Sequence, residues 1–262
     1  MVWLQYLLVA AGALGGGYLM LMAIAWVASE RMIFHPPPPS YADGPEILKI
    51  ATPDGVKLAA RHLPFPGSRY TLLYFHGNAE DLGQVEPFLV ELRERLQVSV
   101  VGWDYRGYGR SGGRATEADT LRDAHTVLAY VTGALGVPSE RVILCGRSLG
   151  GGPATELAAT HRCAGLVFHG TFTSAFRVMT RVRLLPFDKF VVLEKLPRVT
   201  CPILIMHGTA DGVIPFRHAQ ALFAAAPGRK YKLWVDGAGH NDLVETAGED
   251  FWKTLREFVA GL

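Results

Sequence analysis

Val142-Ile143-Leu144-Cys145-Gly146-Arg147-Ser148-Leu149-Gly150-Gly151-Gly152 is the stretch that decides the fold. The four apolar residues ending at Cys145 read as a buried strand, and Leu149–His161 has a helical pattern. Between them, Gly146-Arg147-Ser148-Leu149-Gly150 fits G-x-S-x-G, a serine on a tight strand-to-helix turn whose neighbours must be small. The N-terminus of the following helix favours negative charge that develops beside that serine. A glycine-rich turn with an incidental serine is the bland alternative. The strand before the motif and the helix after it favour Ser148 as a nucleophile.

A serine nucleophile needs a base, and the base needs an orienting acid. His240 lies in Asp236-Gly237-Ala238-Gly239-His240-Asn241-Asp242, just after the last expected strand, Tyr231–Val235. Asp211 lies in His207-Gly208-Thr209-Ala210-Asp211-Gly212, after the expected strand Pro202–Met206. The chain order Ser148, Asp211, His240 suits a site assembled at strand ends. Asp236 and Asp242, close to His240 in sequence, are rival acids. For the oxyanion, the backbone N–H of Asn78 or Ala79, in Phe75-His76-Gly77-Asn78-Ala79, can act with that of Leu149. The sequence does not separate Asn78 from Ala79, and we favour Asn78. His76 is expected to anchor that loop. Asp104-Tyr105-Arg106-Gly107-Tyr108-Gly109-Arg110-Ser111 fits either a substrate contact or loop packing around an Asp104–Arg106 polar network.

Outward from the serine, strand and helix patterns alternate. Glu46–Ala51 and Val56–Leu63 flank Pro53-Asp54-Gly55 as a hairpin. Tyr70–Phe75, Val98–Trp103, Arg141–Cys145, Gly165–Phe168, Pro202–Met206 and Tyr231–Val235 supply six more strands. Asp81–Leu96, Glu117–Leu135, Leu149–His161, Phe216–Ala226 and Asp250–Val259 are expected helices, with Thr116 capping the second. This predicts an α/β protein with a mostly parallel eight-stranded sheet, helices on both faces and an antiparallel leading hairpin. Residues 172–200 break the rhythm and read as a short helical cap.

Val2–Ala28 carries no charged residue. Such a run spans a hydrocarbon core of about 30 Å. Trp3, Tyr6 and Trp26 lie near its ends, where amphipathic rings prefer the interface. A cleaved signal peptide is the alternative, with Ala23-Ile24-Ala25 as its cleavage pattern, but no basic leader precedes the apolar run. Gly12 and Gly16 form a G-x-x-x-G pair. We divide the chain into a transmembrane anchor (1–29), a spacer (30–45) stiffened by Pro36-Pro37-Pro38-Pro39, and a catalytic domain (46–262). Arg31, Lys49 and Arg61 follow the helix and no Lys or Arg precedes it, so the positive-inside rule leans towards a cytoplasmic domain.

Charged residues make up 19% of the chain and its formal net charge is +2. A nucleic-acid binder needs a clustered basic face, which this scatter does not supply. The three cysteines, Cys145, Cys163 and Cys201, are odd in number and widely spaced, which argues against a disulfide framework. No Cys/His cluster suggests a metal, and neither metal nor cofactor is expected.

Taken in order, the Tyr74–Ala79, Asp104–Ser111, Gly146–Gly151, His207–Asp211 and Gly239–Asp242 motifs resemble the Bem46-like branch of the α/β-hydrolases. That branch includes the eukaryotic α/β-hydrolase domain-containing proteins 12, 13 and 17. The resemblance covers nearly the whole chain after the proline run. It implies a serine hydrolase acting on acyl esters or thioesters, lipids among them, with Ser148, Asp211 and His240 in the catalytic positions. The cysteine-rich N-terminus of the domain-containing 17 group is missing here, which weakens a depalmitoylase assignment. Two other readings stand beside it: an aminopeptidase-like serine hydrolase, and a non-catalytic membrane scaffold.

Overall fold

The computed structural model describes residues 2–262 and falls into two compact units, Met1–His35 and Pro36–Leu262. The first unit is one helix, α1 (Val2–Ile33). Its 32 residues include an 18-residue window of mean hydropathy 2.0, so it is long and apolar enough to cross a membrane.

The second unit is built on one eight-stranded sheet: β1 (Leu48–Ala51), β2 (Lys57–Leu63), β3 (Thr71–Phe75), β4 (Ser99–Trp103), β5 (Val142–Arg147), β6 (Gly165–His169), β7 (Ile203–Gly208) and β8 (Lys230–Val235). The spatial order is β1-β2-β4-β3-β5-β6-β7-β8. β1 and β2 pair antiparallel, with Leu48 opposite Ala60, and β2 pairs antiparallel with β4. The strands from β4 to β8 pair in parallel. The hairpin turns where Thr52 closes on Val56 and Gly55 takes φ +85°, a conformation that a side chain would strain.

Parallel strands need crossovers, and helices supply them. These are α2 (Leu82–Leu96), α3 (Glu117–Gly133), α4 (Gly151–Thr160), the cap helices α5 (Ala175–Met179) and α6 (Val192–Lys195), and α7 (Arg217–Ala225); α8 (Leu243–Ala247) and α9 (Glu249–Ala260) follow β8 and close the chain. Asp81 caps α2 in a reciprocal capping box with Gln84, and Thr116 caps α3. α2 packs with α9, and α3 with α4. Leu72, Tyr74, Val100, Ile143, Cys145, Val167, Leu204 and Met206 share a core with Leu89, Phe251 and Trp252. The intervening residues Leu73, Phe75, Val101, Leu144, Phe168 and Ile205 are equally buried. Central strands apolar on both faces explain why these runs are continuous rather than alternating.

The expected Asp104–Arg106 network is not formed. Asp104 accepts the Leu82 N–H at 2.9 Å and the Tyr41 hydroxyl. Arg106 instead forks between Asp54 of the hairpin turn and Asp123 of α3, at 2.7–2.8 Å. β4 ends at Trp103 and the chain turns at Arg106, so each side chain pairs with the segment packed against it: the start of α2 and Tyr41 for Asp104, the hairpin turn and α3 for Arg106. Cys145 is buried, which pushes its thiol up to about 12 and suits a small apolar residue.

Candidate active site

The turn after β5 is dictated by close backbone approach. A Cβ on Gly146 would stand 2.5 Å from the Gly150 carbonyl oxygen, and one on Gly150 would stand 2.1 Å from that of Phe75. No residue with a side chain fits either place. Ser148 itself takes φ +51°, outside the usual range for a side-chain-bearing residue. Such a conformation costs about 1–3 kcal/mol and persists only where packing enforces it. Here it lifts the hydroxyl above the end of the sheet, and Ser148 is partly exposed.

His240 reaches that hydroxyl from the loop after β8, with Nε2 at 3.0 Å from Ser148 Oγ. Its Nδ1 is 2.8 Å from Asp211 Oδ2. A carboxylate oxygen only accepts, so Nδ1 carries the proton and Nε2 presents a lone pair to the serine. Asp211 is nearly buried, and burial opposes its ionisation. Hydrogen bonds from His207, His240 and the Ile214 N–H outweigh that penalty and hold the carboxyl below the usual range. The rival acids are occupied elsewhere. Asp236 accepts from the Thr209 hydroxyl at 2.9 Å and Asp242 from the Gly239 N–H at 2.6 Å.

The loop after β3 crosses over the serine: a Cβ on Gly77 would lie 3.6 Å from that of Ser148. His76 anchors it, with Nδ1 at 2.8 Å from the Gly77 carbonyl and its own carbonyl accepting the Tyr105 hydroxyl at 2.7 Å. The Ala79 N–H donates to Asn78 Oδ1 at 3.0 Å, and that oxygen also accepts the Tyr108 hydroxyl at 2.6 Å. Leu149 sits in the first turn after the serine, where an N–H has no helical carbonyl behind it.

The roles of four residues of this neighbourhood escaped the sequence reading. Arg147 pairs with Glu80 of the β3 loop and donates to Asn241 Oδ1 at 2.9 Å. Glu80 in turn accepts the Gly77 N–H at 2.7 Å. One guanidinium therefore ties the β3 loop, the serine turn and the histidine loop together. His207 lies 3.3 Å from Asp211 Oδ2 and donates to the Ile214 carbonyl at 2.7 Å, bracing the acid loop. The only early signal was position: Arg147 is the x before the serine, Asn241 and His207 lie within quoted motifs, and Glu80 neighbours one. Among the described residues, no group of three or more His, Cys, Asp or Glu side chains could hold a metal.

A mostly parallel sheet with a serine turn at its centre and acid and base on later strand ends defines the α/β-hydrolase class. Comparison with known proteins agrees. The family described as serine aminopeptidase, S33 (Hydrolase_4) matches residues 67–187. Alpha/beta hydrolase domain-containing protein 17B of Homo sapiens is 37% identical over 221 residues, covering 83% of this chain and 76% of that protein. Protein 17C of Xenopus laevis is 39% identical over 198 residues, 74% of this chain and 63% of that protein. The chain thus spans just under two thirds of the latter's length. An esterase of Pyrococcus furiosus superposes with TM-score 0.72 at 20% identity, covering 87% of this chain and 99% of that one. An esterase of Rhodococcus sp. does so with TM-score 0.66 at 22% identity, covering 83% and 99%. At such identities these two speak for the fold. The chain belongs to the α/β-hydrolase family, and the domain-containing 17 proteins are among its relatives.

Proposed function

We propose that this chain is a membrane-anchored serine hydrolase that cleaves carboxylic ester or thioester bonds of acyl substrates. The observation that carries this reading is the relay of Ser148, His240 and Asp211, with both hydrogen bonds at 3.0 Å or less. In this mechanism His240 Nε2 takes the Ser148 proton as Oγ bonds to the acyl carbon. The carbonyl oxygen becomes an oxyanion held by the N–H groups of Leu149 and Asn78; the Ala79 N–H is already committed to Asn78 Oδ1. The imidazolium, stabilised by Asp211, then protonates the departing alcohol or thiol, leaving the acyl group on Ser148. A water deprotonated by His240 attacks that ester and releases the acid.

We assign residues 1–29 as the anchor, 30–45 as the spacer and 46–262 as the catalytic domain, with the cap at about 172–200. Length and apolarity support the anchor, and the charges that follow it support a cytoplasmic catalytic domain. An aminopeptidase remains the second reading because of the family description matched by residues 67–187. A fluorophosphonate should label Ser148, and a panel of p-nitrophenyl esters, lysophospholipids, acyl thioesters and aminoacyl amides separates the readings. Turnover of the amides alone would remove the esterase reading, and a chain that neither labels nor turns over would be a scaffold.

A further inference from the structure

Beside the serine site lies a feature that this mechanism leaves unused. A cavity of about 710 Å³ sits between the start of the cap and α7. Its wall is strongly basic, with Arg177, Arg181, Arg183 and Arg217 facing Asp188 and Glu194. Both carboxylates are spoken for. Asp188 accepts from the Ser174 hydroxyl at 2.7 Å and from the N–H groups of Phe176 and Lys189 at 2.9 and 2.7 Å. Glu194 pairs with Arg183 at 3.4 Å. Among the described residues, Arg177, Arg181 and Arg217 have no carboxylate within ion-pair distance. Arg177 and Arg217 each donate to a backbone carbonyl, which orients a guanidinium without neutralising it.

A second observation points the same way. His218, in the same wall, is 3% exposed. Its Nδ1 accepts the Thr173 N–H at 3.2 Å and faces the Thr173 hydroxyl at 2.9 Å. The neutral ring therefore carries its proton on Nε2, a buried nitrogen that makes no hydrogen bond of normal geometry and has only the Arg177 backbone carbonyl nearby. Burial first, then the Arg217 charge, brings this histidine down to about 4. It is thus a neutral donor whose one nearby acceptor is out of hydrogen-bond geometry, beside cations with no carboxylate partner.

The cavity adjoins the serine site through two short runs of chain. A Cβ on Gly170 would lie 3.4 Å from His240 Cε1, and the Thr171 hydroxyl donates to the Ser148 carbonyl at 3.3 Å. Thr173 and Ser174, which line the cavity, follow within about 7–11 Å of extended chain. From the other side, Asp211 leads to Arg217 in six residues.

We propose that this cavity is an anion subsite, in which Arg177, Arg181 and Arg217 take the phosphate of a phosphorylated acyl ester whose carbonyl is attacked by Ser148. Phosphate fits better than a carboxylate, because it offers more acceptor oxygens and nearly twice the charge to guanidiniums that come singly from several segments. The substrate class rests on the acyl-hydrolase reading, but the existence of the subsite does not.

Free phosphate and bilayer phosphate share this chemistry, so the test has two arms, both on the full chain in a neutral detergent. In the first, inorganic phosphate is titrated and followed by calorimetry, which needs no turnover. In the second, kcat/KM is compared for a short-chain acyl glycerol phosphate and the uncharged monoacylglycerol with the same acyl group, both monomeric. Losing charge-assisted hydrogen bonds should weaken phosphate binding about 10–100-fold in the Arg177→Gln, Arg217→Gln double variant. The preference for the phosphorylated ester should fall by a similar factor, mostly through KM. Fluorophosphonate labelling at Ser148 reports that the variant is folded, and Arg217→Lys, which keeps the charge, should recover part of the loss. Phosphate binding unaffected by the double substitution would overturn the subsite. Phosphate binding lost with an unchanged substrate preference would overturn its assignment to the substrate and leave free or bilayer phosphate as the ligand. If neither ester is hydrolysed, the assignment to a phosphorylated acyl ester fails, and the titration alone decides the subsite.

Discussion

The serine turn and the cap flank the same helix, α4, yet they are held in different ways. At the turn, backbone meets backbone: Gly146 and Gly150 leave no room even for a methyl group, and Arg147 clamps two further loops. The cap is pinned mainly by its second half. Phe190, 1% exposed, packs over Gly152 of α4, and Val192 and Leu196 are buried behind it. In its first half Met179, Val182 and Leu184 are 88, 62 and 52% exposed. Geometry that must be held to fractions of an ångström is placed on sheet ends, where register fixes it. A surface that meets varied ligands sits on a segment with few buried contacts. Substitutions on the two sides should therefore fail differently.

The largest effect belongs to the nucleophile. Ser148→Ala should lower kcat by about 10⁶ and abolish fluorophosphonate labelling while leaving the fold intact. Labelling that persists on another residue would mean that the rigid turn is not the reactive centre, and the contrast with the cap would lose its chemical meaning.

Asp211→Asn comes next, with a loss of about 10⁴ in kcat and little change in KM, because the imidazole then favours the wrong tautomer. If Asp236→Asn or Asp242→Asn does this instead, the acid is misassigned. The same carboxyl carries a pH signature. Its folded value lies below the ordinary one near ~3.9. Its stabilising contribution is therefore full above that ordinary value and is lost as pH falls towards the folded one. Denaturant curves for wild type and Asp211→Asn should accordingly differ more at neutral pH than below pH ~3.9.

What could be read in advance divides along the same line. Strand ends were legible because the parallel sheet imposes continuous apolar runs and because glycines must stand where backbones touch. Ser148, Asp211 and His240 could each be placed on its own strand-end loop, and Thr116 showed itself as a cap by the helical pattern after it. Partners across the fold were not legible. Arg106 finds Asp54 and Asp123, 52 and 17 residues away, rather than Asp104 beside it. Arg147, Glu80 and Asn241 form a network whose members share no local pattern. α8, with five residues, is too short for a helical period to register. In the cap, two short helices and a connecting coil of arginines and apolar residues gave no sign of which face turns inward.

The Arg147 clamp tests how far the rigidity of the turn matters. Arg147→Ala should lower kcat/KM about 10²-fold, on the scale of a 1 Å misplacement of reacting groups, without losing covalent labelling. Glu80→Gln should cost somewhat less, since Asn241 remains bonded. The two losses should be strongly non-additive, as expected when both remove one interaction. Additive losses would show that the two residues act apart and that no single clamp spans the loops.

The smallest effect should come from the exposed half of the cap, and it should depend on the substrate's physical state. Met179, Val182 and Leu184 are apolar side chains left in water beside Arg181 and Arg183, a composition suited to the headgroup boundary of a bilayer. Replacing all three apolar residues with serine removes no contact with the triad and little buried surface. Turnover of a short soluble ester should therefore stay within about twofold, since surface changes away from buried features usually cost under ~0.5 kcal/mol. On acyl lipids in vesicles the rate should fall about tenfold, because a lower residence at the surface lowers the effective substrate concentration. Removing α1, the proposed anchor, should deepen that loss. A chain beginning at Pro36 keeps the bonds of Ser40 to Asp81 and of Tyr41 to Asp104, so it should retain its activity on soluble ester. Equal losses on soluble and vesicle substrates would mean that the exposed half of the cap supports the fold like the buried half. No loss on either would leave α1 as the only proposed membrane contact.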